Sequence, residues 1–171
     1  MLVAVTIHRT HPFADAEPDP ARRLRGRLGG AVTLWTTGSG VDRAGLTVTS
    51  LLVALGDPPR VLGLVDPDSD LALAVEETGT AVVQLLAWPD RDLAEAFAGT
   101  APAPGGLFRQ AEFTDTGWGP RLAHAATWAG VRLEQGRDVG WSRELTCVVE
   151  HVEVGPDTEP LAHRRGRWMR P

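Results

Sequence analysis

The sequence predicts a mainly β domain, barrel-like, with short inserted helices. Three observations carry that expectation. Short runs rich in β-branched and aromatic residues recur along the chain between clusters of Gly, Pro and Asp. Clear helical spacing is confined to two stretches between residues 69 and 98. The second half lacks the regular helix alternation that a doubly wound sheet requires.

In order along the chain, residues 10 to 20 carry Pro12, Pro18 and Pro20 with Asp15, Glu17 and Asp19, and read as an exposed lead-in. "ARRLRGRLGG" follows as one or two helical turns ended by Gly29-Gly30. "AVTLWTT" at 31–37 is a strand that stops at a "GSG" turn. "LTVTSLLVAL" at 46–55 also reads as a strand: helix competes, but Thr47, Val48 and Thr49 in succession favour extended backbone. "RVLGLV" at 60–65 is a third strand, and Pro58-Pro59 is expected to prevent a regular ladder between it and the second.

Ser69 or Asp70 caps a short helix through Glu77, with Leu71, Ala74 and Val75 on its inner side and Gly79 as its end. "TAVVQLL" returns to strand, and Asp90 caps a second helix in which Leu93, Ala94 and Phe97 recur at helical spacing. "GTAPAPGG" at 99–106 separates the halves. Residues 122–133, 144–154 and 160–168 complete the count at six or seven strands. A lead-in over 1–20 and one domain over 21–171 is the expected organisation, in line with a length of 171 residues.

Composition bounds the function classes. With 43% hydrophobic and 23% charged residues the chain is an ordinary globular sequence, and no apolar run reaches the length of a membrane span. The N-terminus lacks a basic leader, so no cleaved secretion signal is expected and the cytoplasm is the default location. A formal charge of −5 argues against a nucleic-acid binder, although all 17 basic residues are arginine. The single Cys147 has no disulfide partner, and its neighbours Leu145, Val148 and Val149 make it a buried small hydrophobe.

The common enzyme templates are absent: no dinucleotide G-x-G-x-x-G, no phosphate loop, no nucleophile elbow, no H-E-x-x-H. His8, His11, His124, His151 and His163 are scattered without ligand spacing, and no metal site is expected. His151 shares an alternation with Val149 and Glu153, as a half-exposed strand residue would. Trp35 and Trp128 read as core or interface anchors, Phe97 as core, and Trp118 in "TGWGP" as a turn residue or an exposed wall.

One stretch offers binding chemistry. Gly45-Leu46-Thr47-Val48-Thr49-Ser50 sets three hydroxyls beside backbone N–H groups made approachable by a glycine, a pattern suited to a polar or phosphorylated ligand. Hydroxyls are equally at home in a strand without any ligand. The loop "DPDSD" complicates a phosphate, since Asp66, Asp68 and Asp70 repel it. A phosphate there needs Ser69, helix N–H groups and an arginine such as Arg60.

The order of "AVTLWTT", "AGLTVTSLLVALGDPPRVLGLV", "DSDLALAVEETGTAVVQLLA", "RDLAEAFAG", "GWGPRLAHAATWAGVRL" and "EPLAHRRGRW" resembles the flavin reductase-like family of the FMN-binding split barrel fold, from about Leu24 to Trp168. The G-x-T-x-x-S stretch followed by Asp57-Pro58-Pro59 is the most specific part. The resemblance implies a six-stranded Greek-key barrel, a homodimer, and FMN (FAD being possible) in a groove near the subunit interface. It assigns cofactor contacts to Thr47, Val48, Thr49 and Ser50, and to the loop holding Asp66 and Ser69. It assigns no catalytic side chain. It implies hydride transfer from NAD(P)H to the flavin, with reduced flavin passed to a partner monooxygenase or another acceptor.

Two departures stand out. The loop carries Asp66 and Asp68 where the family has Asn or Arg character. Many members have Gly-Asp-His before the strand matching "ELTCVVEHVEV", where this chain has Gly140-Trp141-Ser142. Ser142 cannot replace imidazole in size or charge, and Trp141 is placed to cover or narrow the site. A flavin-binding protein without NAD(P)H turnover and a cofactor-free split-barrel scaffold are therefore the alternatives. Arg164, Arg165 and Arg167, and the four arginines at 22–27, read either as solvated surface or as contacts to an FMN phosphate or interface carboxylate.

Overall fold

The computed structural model describes residues 19–171. The proline-rich lead-in and the His8–His11 pair lie outside them, apart from Asp19 and Pro20. Helix α1 (Pro20–Leu28) starts on Asp19, whose carboxylate accepts the Ala21 amide at 2.9 Å, and stops at Gly29. Strands β1 (Gly30–Ala31), β2 (Thr33–Thr37), β3 (Ala44–Val48), β4 (Leu51–Ala54) and β5 (Arg60–Val65) follow. Helix α2 (Asp70–Thr78), β6 (Thr80–Leu85) and helix α3 (Arg91–Phe97) form the middle of the chain. The rest is β7 (Phe113–Thr116), β8 (Gly119–Leu122), β9 (Trp128–Val139), β10 (Ser142–Glu153), β11 (Ala162–Arg164) and β12 (Arg167–Met169).

Seven strands make one antiparallel sheet in the order β3-β2-β6-β9-β10-β5-β4. Smaller sheets β1-β11-β12 and β7-β8 flank it. The large sheet curls into an open half-barrel. Its curl is visible in one contact: Trp35 on β2 reaches Gly63 on β5, four strands away, so closely that a Cβ on Gly63 would lie 2.8 Å from the indole ring. Only glycine leaves room there. Trp35, Val61, Val65, Val83, Val131, Leu145 and Cys147 fill the concave side, and Leu71, Ala72 and Val75 of α2 join the same cluster.

A second cluster covers the convex side of β2, where Leu34 meets Leu93, Ala94 and Phe97 of α3 and Leu122 of β8. Phe97, Phe108 and Phe113 pack ring against ring with centroids 5.0–6.1 Å apart. Buried Gln84 ties this layer to β2 and β8: its Nε2 donates to Thr36 Oγ1 at 3.2 Å, and its Oε1 accepts the Leu122 amide at 2.7 Å. Thr36 Oγ1 in turn donates to the Pro120 carbonyl. Satisfying each polar group in this way is what makes its burial tolerable. The Trp35 indole N–H is the exception, buried with no acceptor among the described residues.

Several expectations need correcting. β4 and β5 do pair directly, Leu51 with Gly63 through Ala54 with Arg60. The prolines sit in the connection, where no ladder amide is needed, so they break nothing. The expected strand at 46–55 is two strands, bent at Thr49-Ser50. The span 122–133 is likewise split: β8 ends at Leu122, and β9 begins only at Trp128. The terminal strand is a hairpin, β11 and β12, turned by Arg165 and Gly166 with φ of 53° and 75°. On α2 the inner residues are Leu71, Ala72 and Val75, with Ala74 half-buried. Asp90 precedes α3 without capping it, because its carboxylate takes the Ala87 amide and His124 instead.

Candidate cofactor-binding site

The two edges of the curled sheet, β3 and β4, are consecutive in the chain, separated only by Thr49 and Ser50. The chain leaves one edge and enters the other at this bend. Thr33 Oγ1 donates to the Val48 carbonyl at 2.6 Å on one side of it, and the Leu64 amide donates to the Ser50 carbonyl at 2.9 Å on the other. The β4–β5 register extended by one residue sets Ser50 opposite Leu64. Ser50 thus shares a face with Leu52 and Leu64, which are 73% and 40% exposed. Thr49 and Ser50 are half-buried, and neither hydroxyl has a hydrogen-bond partner among the described residues.

The other predicted contacts divide sharply. Thr47 Oγ1 donates to the Ala94 carbonyl at 2.7 Å and so holds β3 to α3. Val48 is buried in the core of the curled sheet, leaving only its backbone at the bend. Ser69 is the N-cap of α2: its hydroxyl accepts the Ala72 amide at 3.2 Å and donates to the Asp66 carbonyl at 2.7 Å. Asp66 Oδ1 accepts the Asp68 amide at 2.9 Å, which closes the loop on itself. β5 runs from its pairing with β4 straight into this loop, so 66–69 follows immediately beyond the bend. Arg60, the arginine expected to assist there, is engaged elsewhere. It forms a two-pronged pair with Glu134 at 2.7 and 3.1 Å and donates to the Pro58 carbonyl.

Sequence reasoning read Gly29-Gly30 as the end of the first helix, which Gly29 is, but not as a point of close approach. A Cβ on Gly30 would lie 3.1 Å from the Thr49 carbonyl, and one on Gly29 would lie 3.1 Å from the Arg164 side chain. The Gly-Gly pair therefore lets α1 and β11 approach the bend. Arg164 Nε donates to the Arg27 carbonyl at 2.9 Å, and the Arg165 amide to the Gly26 carbonyl, locking α1 onto β11. The signal in the sequence was the glycine pair directly after an arginine run.

The β10–β5 register, extended by one residue, sets Ser142 opposite Asp66, so the β9–β10 hairpin tip with Trp141, 89% exposed, stands beside the 66–69 loop. The remaining candidates lie elsewhere. Trp118 lies over Gly130 and stacks on His151, with centroids 5.4 Å apart, on the outer face of β9 and β10. A bulge between Val149 and His151 breaks the alternation read from the sequence, so Val149 packs on the core and His151 against Trp118 and Trp128. Cys147 is buried, and burial pushes its thiol up to about 12, which keeps it protonated and unreactive. A hollow of about 190 Å³ beside Asp90 and His124 draws no lining residue from the bend or the 66–69 loop. Among the described residues no cluster of His, Cys, Asp or Glu is arranged to hold a metal ion.

Two unpartnered hydroxyls at the bend, that of Ser50 on the face of exposed Leu52 and Leu64, can bond a polar tail while the leucines hold a planar ring by its apolar face. Comparison with known proteins bears on what that ligand is. The Flavin reductase like domain family matches residues 25–170. FMN reductase (NADH) RutF of Ancylobacter novellus is 30% identical over 148 residues, covering 86% of this chain and 81% of that protein. A RutF of Methylorubrum extorquens PA1 is 32% identical over 156 residues, covering 87% and 86%. Among solved structures, the NADH:FAD oxidoreductase of Streptomyces globisporus superposes with a TM-score of 0.79 at 23% identity, over 91% of this chain and 96% of that one. BorF, the flavin reductase component of a bacterial two-component tryptophan halogenase, superposes with a TM-score of 0.77 at 21% identity, over 88% and 95%. Fold, element order and sequence agree, and the chain belongs to the flavin reductase-like family.

Proposed function

We propose that this protein is a flavin-dependent oxidoreductase, a NAD(P)H:flavin reductase that takes FMN, or FAD, at the Thr49–Ser50 bend. The observation that carries the reading is the pair of free hydroxyls on an edge with exposed leucines, in a chain 30–32% identical to FMN reductases. The residues fit the cofactor. Leu52 and Leu64 offer an apolar shelf for a ring, while Thr49, Ser50 and the backbone from Val48 onward offer donors to its polar edge and phosphate. Thr47 supports the site by fixing β3 to α3, and Ser69 by capping α2. Asp66 contributes through its loop backbone, since its charge repels a phosphate.

When bound, the flavin supplies the redox chemistry, accepting a hydride from the nicotinamide and carrying two electrons to an acceptor. The chain's residues bind, orient and screen from water; no acid, base or nucleophile side chain is needed. The acceptor we propose is a monooxygenase-type partner, by analogy with the halogenase partner of BorF. On this reading β3 and β4 count as one bent strand, and the seven-stranded sheet corresponds to the six strands of a Greek-key split barrel. The working unit is a cytoplasmic homodimer of the 21–171 domain. Mixing the protein with FMN or FAD and NADH or NADPH, and following nicotinamide absorbance, tests the proposal. Oxidation above the protein-free rate supports it, and none with any combination defeats it.

Gly140-Trp141-Ser142 favours a second reading, flavin binding without nicotinamide turnover. The hairpin tip carries an exposed indole, and Ser142 stands where the resemblance puts the histidine of many flavin reductases. Saturable FMN binding with neither nicotinamide oxidised selects that answer.

A further inference from the structure

Charge is strongly segregated in this chain. Residues 19–30 and 159–171 carry eight of the 17 arginines against two carboxylates, while residues 31–158 carry eight arginines against 18 carboxylates. The two basic segments are brought together by the α1–β11 contacts, beside the Thr49 end of the bend. Arg23 and Arg27 are four residues apart on one face of α1, and with Pro20 and Leu24 they line a hollow of about 280 Å³. Neither has a carboxylate partner among the described residues. Like charges at that spacing weaken a helix, so the arrangement calls for an anion. The local field shows in His163 on β11, held below the usual histidine range by burial and then by Arg25.

We infer that this arginine face binds the additional phosphate of a dinucleotide, so the site favours FAD over FMN, or NADPH over NADH. The inference rests on the proposed flavin reductase reading and deepens it. Gly30 touches the bend, and Arg27 and Arg23 lie one and five residues before the C-terminal end of α1 at Leu28, about 2 and 8 Å along the helix axis. A ligand anchored by Thr49 and Ser50 therefore meets the arginines with its distal end. Guanidinium groups bind phosphate oxygens in pairs and stack on planar bases, while Pro20 and Leu24 give the base an apolar floor. The acidic 66–69 loop excludes the alternative direction for a phosphate-rich tail.

The test is a comparison of affinities in two pairs, FAD against FMN by flavin fluorescence, and NADPH against NADH by the KM of flavin reduction. In the Arg23→Gln/Arg27→Gln double variant, one of the two selectivities should fall roughly 10-fold. The Lys/Lys variant should retain most of it, and rising salt should erode it in the wild type. The pair that responds identifies the source of the phosphate. Equal loss for both members of each pair, or unchanged selectivity in a folded double variant, overturns the inference and leaves the flavin reading standing. A wild-type chain that binds no flavin overturns both.

Discussion

Ser50 and Thr47 stand three residues apart in one hydroxyl-rich stretch, yet the structure gives them opposite jobs. Thr47 Oγ1 is committed to the Ala94 carbonyl, whereas Ser50 Oγ has no partner among the described residues. Thr47→Val should remove one internal hydrogen bond, costing about 0.5–1.5 kcal/mol because Ala94 O still accepts the Ala98 amide. For a chain of this size that lowers Tm by about 2–4 °C per kcal/mol. Ser50→Ala should change stability by less than about 0.5 kcal/mol. If Ser50 bonds a flavin phosphate, its loss costs about 1.5–3 kcal/mol of binding, roughly a 10- to 150-fold rise in Kd. The assay is a fluorescence titration of FMN beside a thermal melt for both variants. The reasoning is refuted if Ser50→Ala lowers Tm as Thr47→Val does and leaves the FMN Kd unchanged.

Gly63→Ala should destabilise the protein by about 1–3 kcal/mol, since the new methyl meets the Trp35 ring at 2.8 Å; an unchanged denaturant midpoint would contradict the curl of the sheet. Cys147 should resist a thiol reagent at pH 8 in the native state and react fully in denaturant, because burial pushes its ionisation up to about 12; rapid native labelling would place it outside the core. Carboxylates of Glu134, Glu144, Glu150 and Glu153 are held below their usual range by bonds from Arg60, Arg137, Trp118 with Arg132, and Trp128 with His151. Depressed folded values mean their contribution is present above about pH 4.5 and lost as pH falls through the carboxylate range, so Tm should drop from pH 6 to pH 3. A flat profile would show these surface pairs to be inert.

Much of this architecture was legible because local chemistry decided it. Gly79 ends α2, the β-branched runs read at 31–37 and 60–65 hold β2 and β5, and the buried set Leu93, Ala94 and Phe97 followed from helical spacing. What was not legible depended on partners distant in the chain. Nothing in Thr47-Val48-Thr49-Ser50 shows that the first hydroxyl is bonded to α3 while the last two have no partner among the described residues. That distinction comes from the bend where the sheet's two edges join. Pro58-Pro59 read as a barrier because the length of the β4–β5 connection could not be seen. His151 is the half-exposed strand residue expected, but its shared face with Val149 is lost at a bulge, which shifts register by one residue without a sequence mark. Ser69 was correctly placed at the helix start, but capping consumes the hydroxyl that a phosphate would need.

The central claim is that the bend between β3 and β4 is where a flavin binds. Amide chemical shifts recorded while FMN is titrated into isotopically labelled protein test it most directly. The account predicts saturable shifts centred on Thr49, Ser50, Leu51 and Leu64, with Ala87, His124 and Thr127 still. Shifts confined to the Asp90–His124 hollow, or no shifts at saturating FMN, would contradict it.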